Sequence, residues 1–306
     1  MKKIIVSSLM AVLIMVGCSP ATPTTSGSTG NQDGKIQVMT SFNPIDQLVK
    51  TIGGDKVETT LFVKPGTDAH SFEPTARDMT TLKEADVLFI NGLDMEPWAQ
   101  AGAISGSTKL MILADGIDFI MLDQTEDHHD DDGHDHSTGV DPHIWLGLNE
   151  LKVMAKNTAT ALTLLSPDDE NYFLDNLNKF NEEADTLASE FEPKFKPYAG
   201  QSFVTGHEAF AYLTRSIDLI QMGVEGPFAE GEPTPQKIKE LVDHVREHNI
   251  STIFVEETAS PKVSETLARE TGAELVTIPT METQGEIFPT IREIYEKILS
   301  ALEKNV

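Results

Sequence analysis

Cysteine and long apolar runs are both scarce in this sequence. The 306 residues include one cysteine, Cys18, and a single cysteine excludes an internal disulfide framework. The longest apolar run, residues 4–16, is shorter than the roughly 20 residues that a membrane-spanning helix requires. No other stretch is longer, so the sequence does not favour a permanent transmembrane segment.

Basic residues are few compared with acidic ones. Lys and Arg total 23 against 49 Asp and Glu, which gives a formal net charge of −26. Because nucleic-acid binding depends on basic side chains that neutralise phosphates, nucleic acid is excluded as an expected partner. An acidic surface can attract cations through its field, although solubility accounts for most of this charge.

The N-terminal residues predict export. Lys2 and Lys3 precede the apolar run, which ends at Gly17 and Cys18, so residues 1–17 are typical of a signal peptide. Residues 15–18, Met-Val-Gly-Cys, resemble a bacterial lipobox, which implies a mature protein that is lipid-anchored through Cys18 to the outer face of the cell membrane. The alternative is a soluble secreted protein with an incidental cysteine. Residues 18–34, rich in Thr, Ser, Pro and Gly, predict a flexible tether.

After the tether, β-rich runs alternate with helical patterns, which favours an α/β fold with mainly parallel sheets. Asn43 as a cap and Pro44 in the first turn predict the first helix. We expect strands at 36–40, 57–63, 87–91, 110–114, 202–205, 252–255 and 274–278, and helices at 43–54, 75–84, 234–248, 260–270 and around 287–302.

A longer helix is predicted at residues 166–197. It opens on Ser-Pro-Asp-Asp, which supplies a cap, a first-turn proline and acidic residues at the helix N-terminus. Its apolar positions recur at helical spacing. These positions are Phe173, Leu174, Leu177, Phe180, Ala184, Leu187 and Phe191. We expect this helix to join an N-terminal lobe, residues 35–165, to a C-terminal lobe, residues 198–306.

Three of the nine histidines follow predicted strands or turns. His70 stands in Pro-Gly-Thr-Asp-Ala-His, His143 in Asp-Pro-His-Ile-Trp, and His207 in Thr-Gly-His. Ligands of α/β sheets bind at the loops that follow the strands. We therefore expect these three imidazoles to face one cleft.

The chain resembles the metal-binding lipoproteins of bacterial ABC importers for zinc and manganese, the cluster A-I solute-binding proteins. The resemblance rests on residues 65–78, 141–146, 205–213, 223–256 and 260–272. It implies two α/β lobes joined by one rigid helix, a membrane permease and an ATPase as partners, and a monomeric carrier rather than an enzyme. It also implies two metal ligands from each lobe, with His70 and His143 in the first and His207 in the second.

The fourth ligand is expected in residues 278–282, where the family bears a carboxylate or none. Glu282 is the candidate, Glu286 the reserve, and water the third possibility, since a four-coordinate zinc shell can include water. Three imidazoles and at most one carboxylate suit Zn²⁺ as the transported ligand, whereas Mn²⁺ prefers more oxygen ligands. Copper and nickel also bind such donors, so the donor set describes the expected cargo rather than absolute selectivity.

A low-complexity stretch, residues 126–136 within a loop at 124–139, carries four more histidines. His128, His129, His134 and His136 predict a weak accessory metal-binding loop, with an acidic solvated loop of no separate role as the alternative. His244 and His248 are spaced i, i+4 on a predicted helix, and we expect them to face solvent.

Three other functional classes stay open at this point. A manganese-type carrier would use the same architecture. A zinc hydrolase would need a metal-bound water and a base such as Glu208, but position 211 is Ala where the His-Glu-x-x-His motif requires a second histidine. A surface adhesin or sequestering protein would equally use a lipid anchor and a metal site.

Overall fold

Two parallel four-stranded sheets form the framework of the molecule. The computed structural model describes residues 34–99, 104, 107–122, 139–228, 233–257 and 261–305. The first sheet has the order β2-β1-β3-β4, and the second has the equivalent order β6-β5-β7-β8. The strands are β1 (Ile36–Thr40), β2 (Val57–Leu61), β3 (Val87–Ile90), β4 (Lys109–Ile112), β5 (Ser202–His207), β6 (Ile220–Glu225), β7 (Thr252–Glu256) and β8 (Glu274–Ile278).

Eight α-helices accompany the strands within the described residues. They are α1 (Asn43–Gly53), α2 (Ala76–Leu82), α3 (Leu148–Leu165), α4 (Glu170–Phe195), α5 (Ala211–Ile217), α6 (Pro235–Glu247), α7 (Pro261–Thr271) and α8 (Ile287–Lys304). Thr75 forms a reciprocal capping box with Asp78 at the start of α2, and Thr234 caps α6. Such side chains satisfy backbone N–H groups that the first helical turn leaves free. No described helix has both the length and the apolar character needed to cross a bilayer.

Helix α4 joins the two halves, with 3₁₀ turns at Pro167–Asp169 and Lys196–Tyr198. Its buried face packs on α8, where the Phe180 and Phe288 rings lie 4.8 Å apart and Phe191 stacks on Tyr295 at 5.1 Å. Leu174, expected on that face, is instead 42% exposed. The largest hydrophobic core is continuous across residues of both sheets. This confirms the predicted fold of two parallel-sheet lobes joined by a long helix.

Other sequence expectations need correction. Asn43 does not cap α1: the helix begins at this residue, and Phe42 occupies the cap position without a side-chain hydrogen bond. Helices α3 and α5 and strand β6 were not among the expected elements. Residues 35–306 group into one compact unit by their contacts, so the lobe boundaries at 165 and 198 stay predictions.

Candidate metal centre

His70, His143 and His207 meet at the carboxyl ends of the strands. His70 lies in the loop after β2, and His207 is the last residue of β5. His143 directly precedes a 3₁₀ turn, Ile144–Leu146, that leads into α3. Because parallel strands present their carboxyl ends at one edge of a sheet, residues distant in sequence converge there. The two lobes thus contribute to one group of side chains, here called the histidine cluster.

The ring nitrogens of the histidine cluster are close together. Nε2 of His143 lies 3.3 Å from Nε2 of His70 and 3.1 Å from Nε2 of His207. One ligand atom from each of the three rings falls within 4.8 Å of the others. Zinc binds imidazole nitrogen at about 2.0–2.1 Å with tetrahedral geometry, which sets its nitrogen ligands about 3.4 Å apart. The cluster therefore fits one such ion with little rearrangement.

Asp141 orients the central ring. Its Oδ1 accepts a hydrogen bond from the backbone N–H of His143 at 2.9 Å and lies 2.8 Å from Nδ1 of the same residue. This contact favours a proton on Nδ1 and leaves the Nε2 lone pair directed at the other rings, as carboxylate partners do for metal-binding histidines. The backbone carbonyl of Asp141 accepts from the Tyr212 hydroxyl of the other lobe at 2.8 Å. The C-terminal lobe thereby helps to hold the His143 segment.

Burial keeps the cluster uncharged. Desolvation lowers the pKa of His70 and lowers the pKa of His143 and of His207 well below the ordinary value. The burial of Asp141 raises its pKa to about 7, against the stabilising N–H of His143. Neutral imidazole is the form that binds a metal. The rings are therefore ready to coordinate over a wider pH range than exposed histidines would be.

His207 has a further contact and a buried acidic neighbour. Its Nε2 lies 3.2 Å from the carbonyl oxygen of Pro227, which can accept a hydrogen bond when that nitrogen is protonated. Its backbone N–H donates to Oε1 of Glu256 at 3.2 Å, while Oε2 of Glu256 is buried without a partner. A side chain at Gly206 would place Cβ 2.5 Å from that Oε2. Glycine at this position therefore leaves room for the buried carboxyl group.

Glu282 is also buried with one oxygen, Oε1, unpartnered. Burial, and secondarily the charge of Asp68, raises its pKa to about 8, and burial raises the pKa of Glu256 to about 8 as well. Glu282 does not join the group of donor atoms within 4.8 Å. The reserve candidate Glu286 is exposed at the start of α8. Between these two, the buried carboxyl of Glu282 has the unmet polar demand that a cation would satisfy.

Other predicted residues fall elsewhere. Cys18 and the accessory histidines His128, His129, His134 and His136 lie outside the described residues. The rings of His244, in the last turn of α6, and His248, directly after it, are tilted with centroids 4.2 Å apart. His248 is exposed as expected, but Nε2 of His244 is buried. Among the described residues, the histidine cluster is the group of three or more ligating side chains close enough to hold one ion.

Sequence reasoning assigned no role to several residues around the cluster. Asp141 carried a usable signal, because an acidic residue two positions before a candidate ligand can reach back to its imidazole. Tyr212 and Glu256 carried none, since their contacts join segments 71 and 49 residues apart.

Comparison with known proteins places this geometry in a family. Residues 38–305 match the family described as zinc-uptake complex component A, periplasmic. The high-affinity zinc uptake system protein ZnuA of Bacillus subtilis (strain 168) is 30% identical over 276 residues, which cover 88% of this chain and 85% of the relative.

Solved structures of metal-binding proteins are similar to this chain over most of its length. A ZnuA deletion mutant with zinc bound is 28% identical with a TM-score of 0.77, covering 87% of this chain and 98% of that one. The laminin-binding protein of Streptococcus agalactiae, described as a bifunctional adhesin and metal transporter, is 27% identical with a TM-score of 0.78, covering 88% and 99%. The chain belongs to the zinc-uptake complex component A family.

Proposed function

We propose that this protein captures Zn²⁺ between its two lobes and delivers it to an ABC-type importer. The observation that carries the proposal is the convergence of three imidazole Nε2 atoms, two from the N-terminal lobe and one from the end of β5, at separations of 3.1 and 3.3 Å. Family membership and the zinc-uptake relative support zinc as the cargo.

The donor set favours zinc over manganese. Three nitrogen ligands with one carboxylate or water form a usual zinc shell, whereas manganese prefers more oxygen ligands. Burial keeps all three imidazoles neutral by lowering each pKa. We assign Glu282 as the fourth ligand, because its buried, unpartnered Oε1 belongs to the loop that follows β8.

Anchoring and delivery form the second part of the proposal. The lipobox-like segment supports a lipid anchor at Cys18, which would hold the protein on the extracytoplasmic face near a permease and its ATPase. The family's description as a periplasmic component of a zinc-uptake complex supports that location. The accessory histidines at 128, 129, 134 and 136 would add weak zinc binding.

Adhesion is a second candidate function, because the similar laminin-binding protein is described as both adhesin and metal transporter. A hydrolase has less support. Glu208, its candidate base, directs Oε1 to the backbone N–H of Gly223 at 3.0 Å, a contact within the C-terminal sheet. Laminin binding by the purified protein, measured with and without zinc, tests the adhesin role independently of transport.

The test of the main proposal is a zinc titration in competition with a chromogenic chelator. The wild-type chain is compared with the combined variant His70→Ala/His143→Ala/His207→Ala and with His248→Ala, which alters an exposed histidine directly after α6. We expect one tight site in the wild type and in His248→Ala, and none in the combined variant. A tight site that survives in the combined variant would refute the proposal.

A further inference from the structure

The loop that carries Glu282 is fastened to the opposite lobe. This Glu282 loop, residues 279–286, connects β8 to α8. The Asn43 side chain, at the start of α1, donates its two Nδ2 hydrogens to the carbonyl oxygens of Met281 at 2.9 Å and Gly285 at 3.0 Å. The Trp145 indole Nε1–H donates to the carbonyl oxygen of Thr280 at 2.9 Å. Three backbone carbonyls of the loop, two before Glu282 and one after it, thus accept hydrogen bonds from the N-terminal lobe.

The backbone of the Glu282 loop needs such support. Met281 has φ +67° and Gly285 has φ +110°. A non-glycine residue at positive φ is uncommon because its side chain crowds the backbone. A Cβ on Gly285 would lie 2.6 Å from Oγ1 of Thr290. Hydrogen bonds from outside the loop therefore stabilise a conformation that the local sequence does not favour.

Asn43 is suited to this task. Its side chain is buried, and its amide nitrogen has two hydrogens, which both find acceptors in the other lobe. Its Oδ1 lies 3.5 Å from Nε2 of Gln47, one helical turn along α1, which is consistent with this amide orientation. A buried amide whose donors are both used has one preferred orientation. Asparagine at a helix start usually serves as a cap, but here it does not.

We infer that Asn43 is a positioning residue that sets Glu282 at the metal centre, with Trp145 as a second anchor of the same loop. The inference rests on the proposed function and deepens it. The three histidines stand at strand ends or turns, whereas the proposed ligand Glu282 stands in a loop held by the other lobe. The hydrogen bonds that form when the two lobes pack together then also position the fourth ligand.

The test is a double-mutant cycle on the full chain with Zn²⁺ alone as the probe. Zinc dissociation constants are measured for the wild type, Asn43→Ala, Glu282→Gln and the double variant. Because two hydrogen bonds are removed, we expect Asn43→Ala to weaken zinc binding by roughly tenfold. In the Glu282→Gln background the same substitution should change the affinity by less than about twofold, because the ligand it positions is already absent. Amide hydrogen exchange in residues 279–286 of the zinc-free protein should accelerate in Asn43→Ala.

An equal loss of affinity in both backgrounds would show a general structural role for Asn43 and overturn the inference. Unchanged binding in Glu282→Gln would overturn it too, since there would be no ligand to position. His207→Ala separates this failure from that of the proposed function, because wild-type zinc affinity in His207→Ala refutes the site itself. If Asn43→Ala does not fold, Trp145→Phe enters the same cycle, since it removes the indole donor and keeps an aromatic ring.

Discussion

The N-terminal and C-terminal halves of the metal centre are built from sheets of the same strand order, yet they satisfy their polar groups differently. In the N-terminal half, the Asp141 carboxylate contacts both the backbone and the ring of His143. In the C-terminal half, Glu256 and Glu282 each keep one buried oxygen without a partner. The carboxyl group of the first half therefore orients a ligand before an ion arrives, whereas in the second half the proposed ligand Glu282 has an oxygen that an ion would satisfy.

The largest effect should come from the histidine shared by the two halves. His143 contacts both other rings through Nε2, so His143→Ala removes the central ligand. Structural four-ligand zinc sites in zinc-finger peptides bind with about 10–16 kcal/mol, so on that scale one ligand accounts for about 3 kcal/mol, or roughly a hundredfold in affinity. Chelator competition should show this loss in His143→Ala and in His207→Ala, with His248→Ala unchanged. A loss confined to one half would mean that one lobe binds the ion alone.

Removing the support of the first half should have an intermediate effect. Asp141→Asn keeps the size of the side chain but weakens its hold on the Nδ1 proton of His143, and such outer-shell changes cost about 10–100-fold in metal affinity. The zinc dissociation constant and the dissociation rate check this expectation. The matched control is Asp243→Asn, which removes a charge from an exposed position on α6. Equal losses in both variants would indicate a general field effect instead.

Zinc binding to the second half should release a proton from Glu282. Burial raises the pKa of Glu282 to about 8, so this carboxyl is mostly protonated at pH 7 and must release a proton when it binds zinc. Wild-type affinity should therefore rise between pH 6 and 8 more steeply than that of Glu282→Gln. Calorimetry at pH 7 in buffers of different ionisation enthalpy should detect about one more proton released by the wild type. Equal proton release in both proteins would favour water as the fourth ligand.

The smallest effect concerns the stability of the zinc-free protein. The folded-state pKa of Glu256 is raised to about 8 by burial, above its ordinary value of 4.5. A raised pKa contributes stability that is present below the unfolded value and lost as pH rises toward the folded value. Glu256→Gln cannot ionise and should lose less thermal stability than the wild type between pH 5 and pH 9. If the melting temperatures of the wild type and Glu256→Gln change equally with pH across this range, the Glu256 carboxyl is not desolvated.

Local patterns predicted much of the fold. Strands β1 and β8 have the expected bounds, and Thr75 and Thr234 cap helices as their positions suggest. Helix α3 gave no comparable signal, because no side chain caps its start. Strand β6 contains Gly223, and glycine usually weakens a strand. A Cβ at this position would lie 2.3 Å from Cγ of Glu208, so packing requires glycine here. The sequence does not reveal this packing requirement.

The sequence likewise identified some residues of the candidate site and left others undecided. His70, His143 and His207 could be selected from sequence because each stands in a segment that resembles the family and follows a predicted strand or turn. Glu282 could be named only as one of several choices, and its ligand role stays a prediction. The burial that raises its pKa to about 8 depends on how the two lobes pack.

The sequence by itself predicted an export signal, excluded internal disulfides, and determined the acidic charge and the alternation of strands and helices. These properties depend on composition and short-range periodicity. Only the tertiary structure decided which nitrogen atoms meet at 3.1 and 3.3 Å, and that Asn43 bonds to carbonyls 238 and 242 residues away instead of capping its helix. Contacts over such separations form because the whole core repays the entropy of bringing distant segments together, and no local pattern encodes that sum.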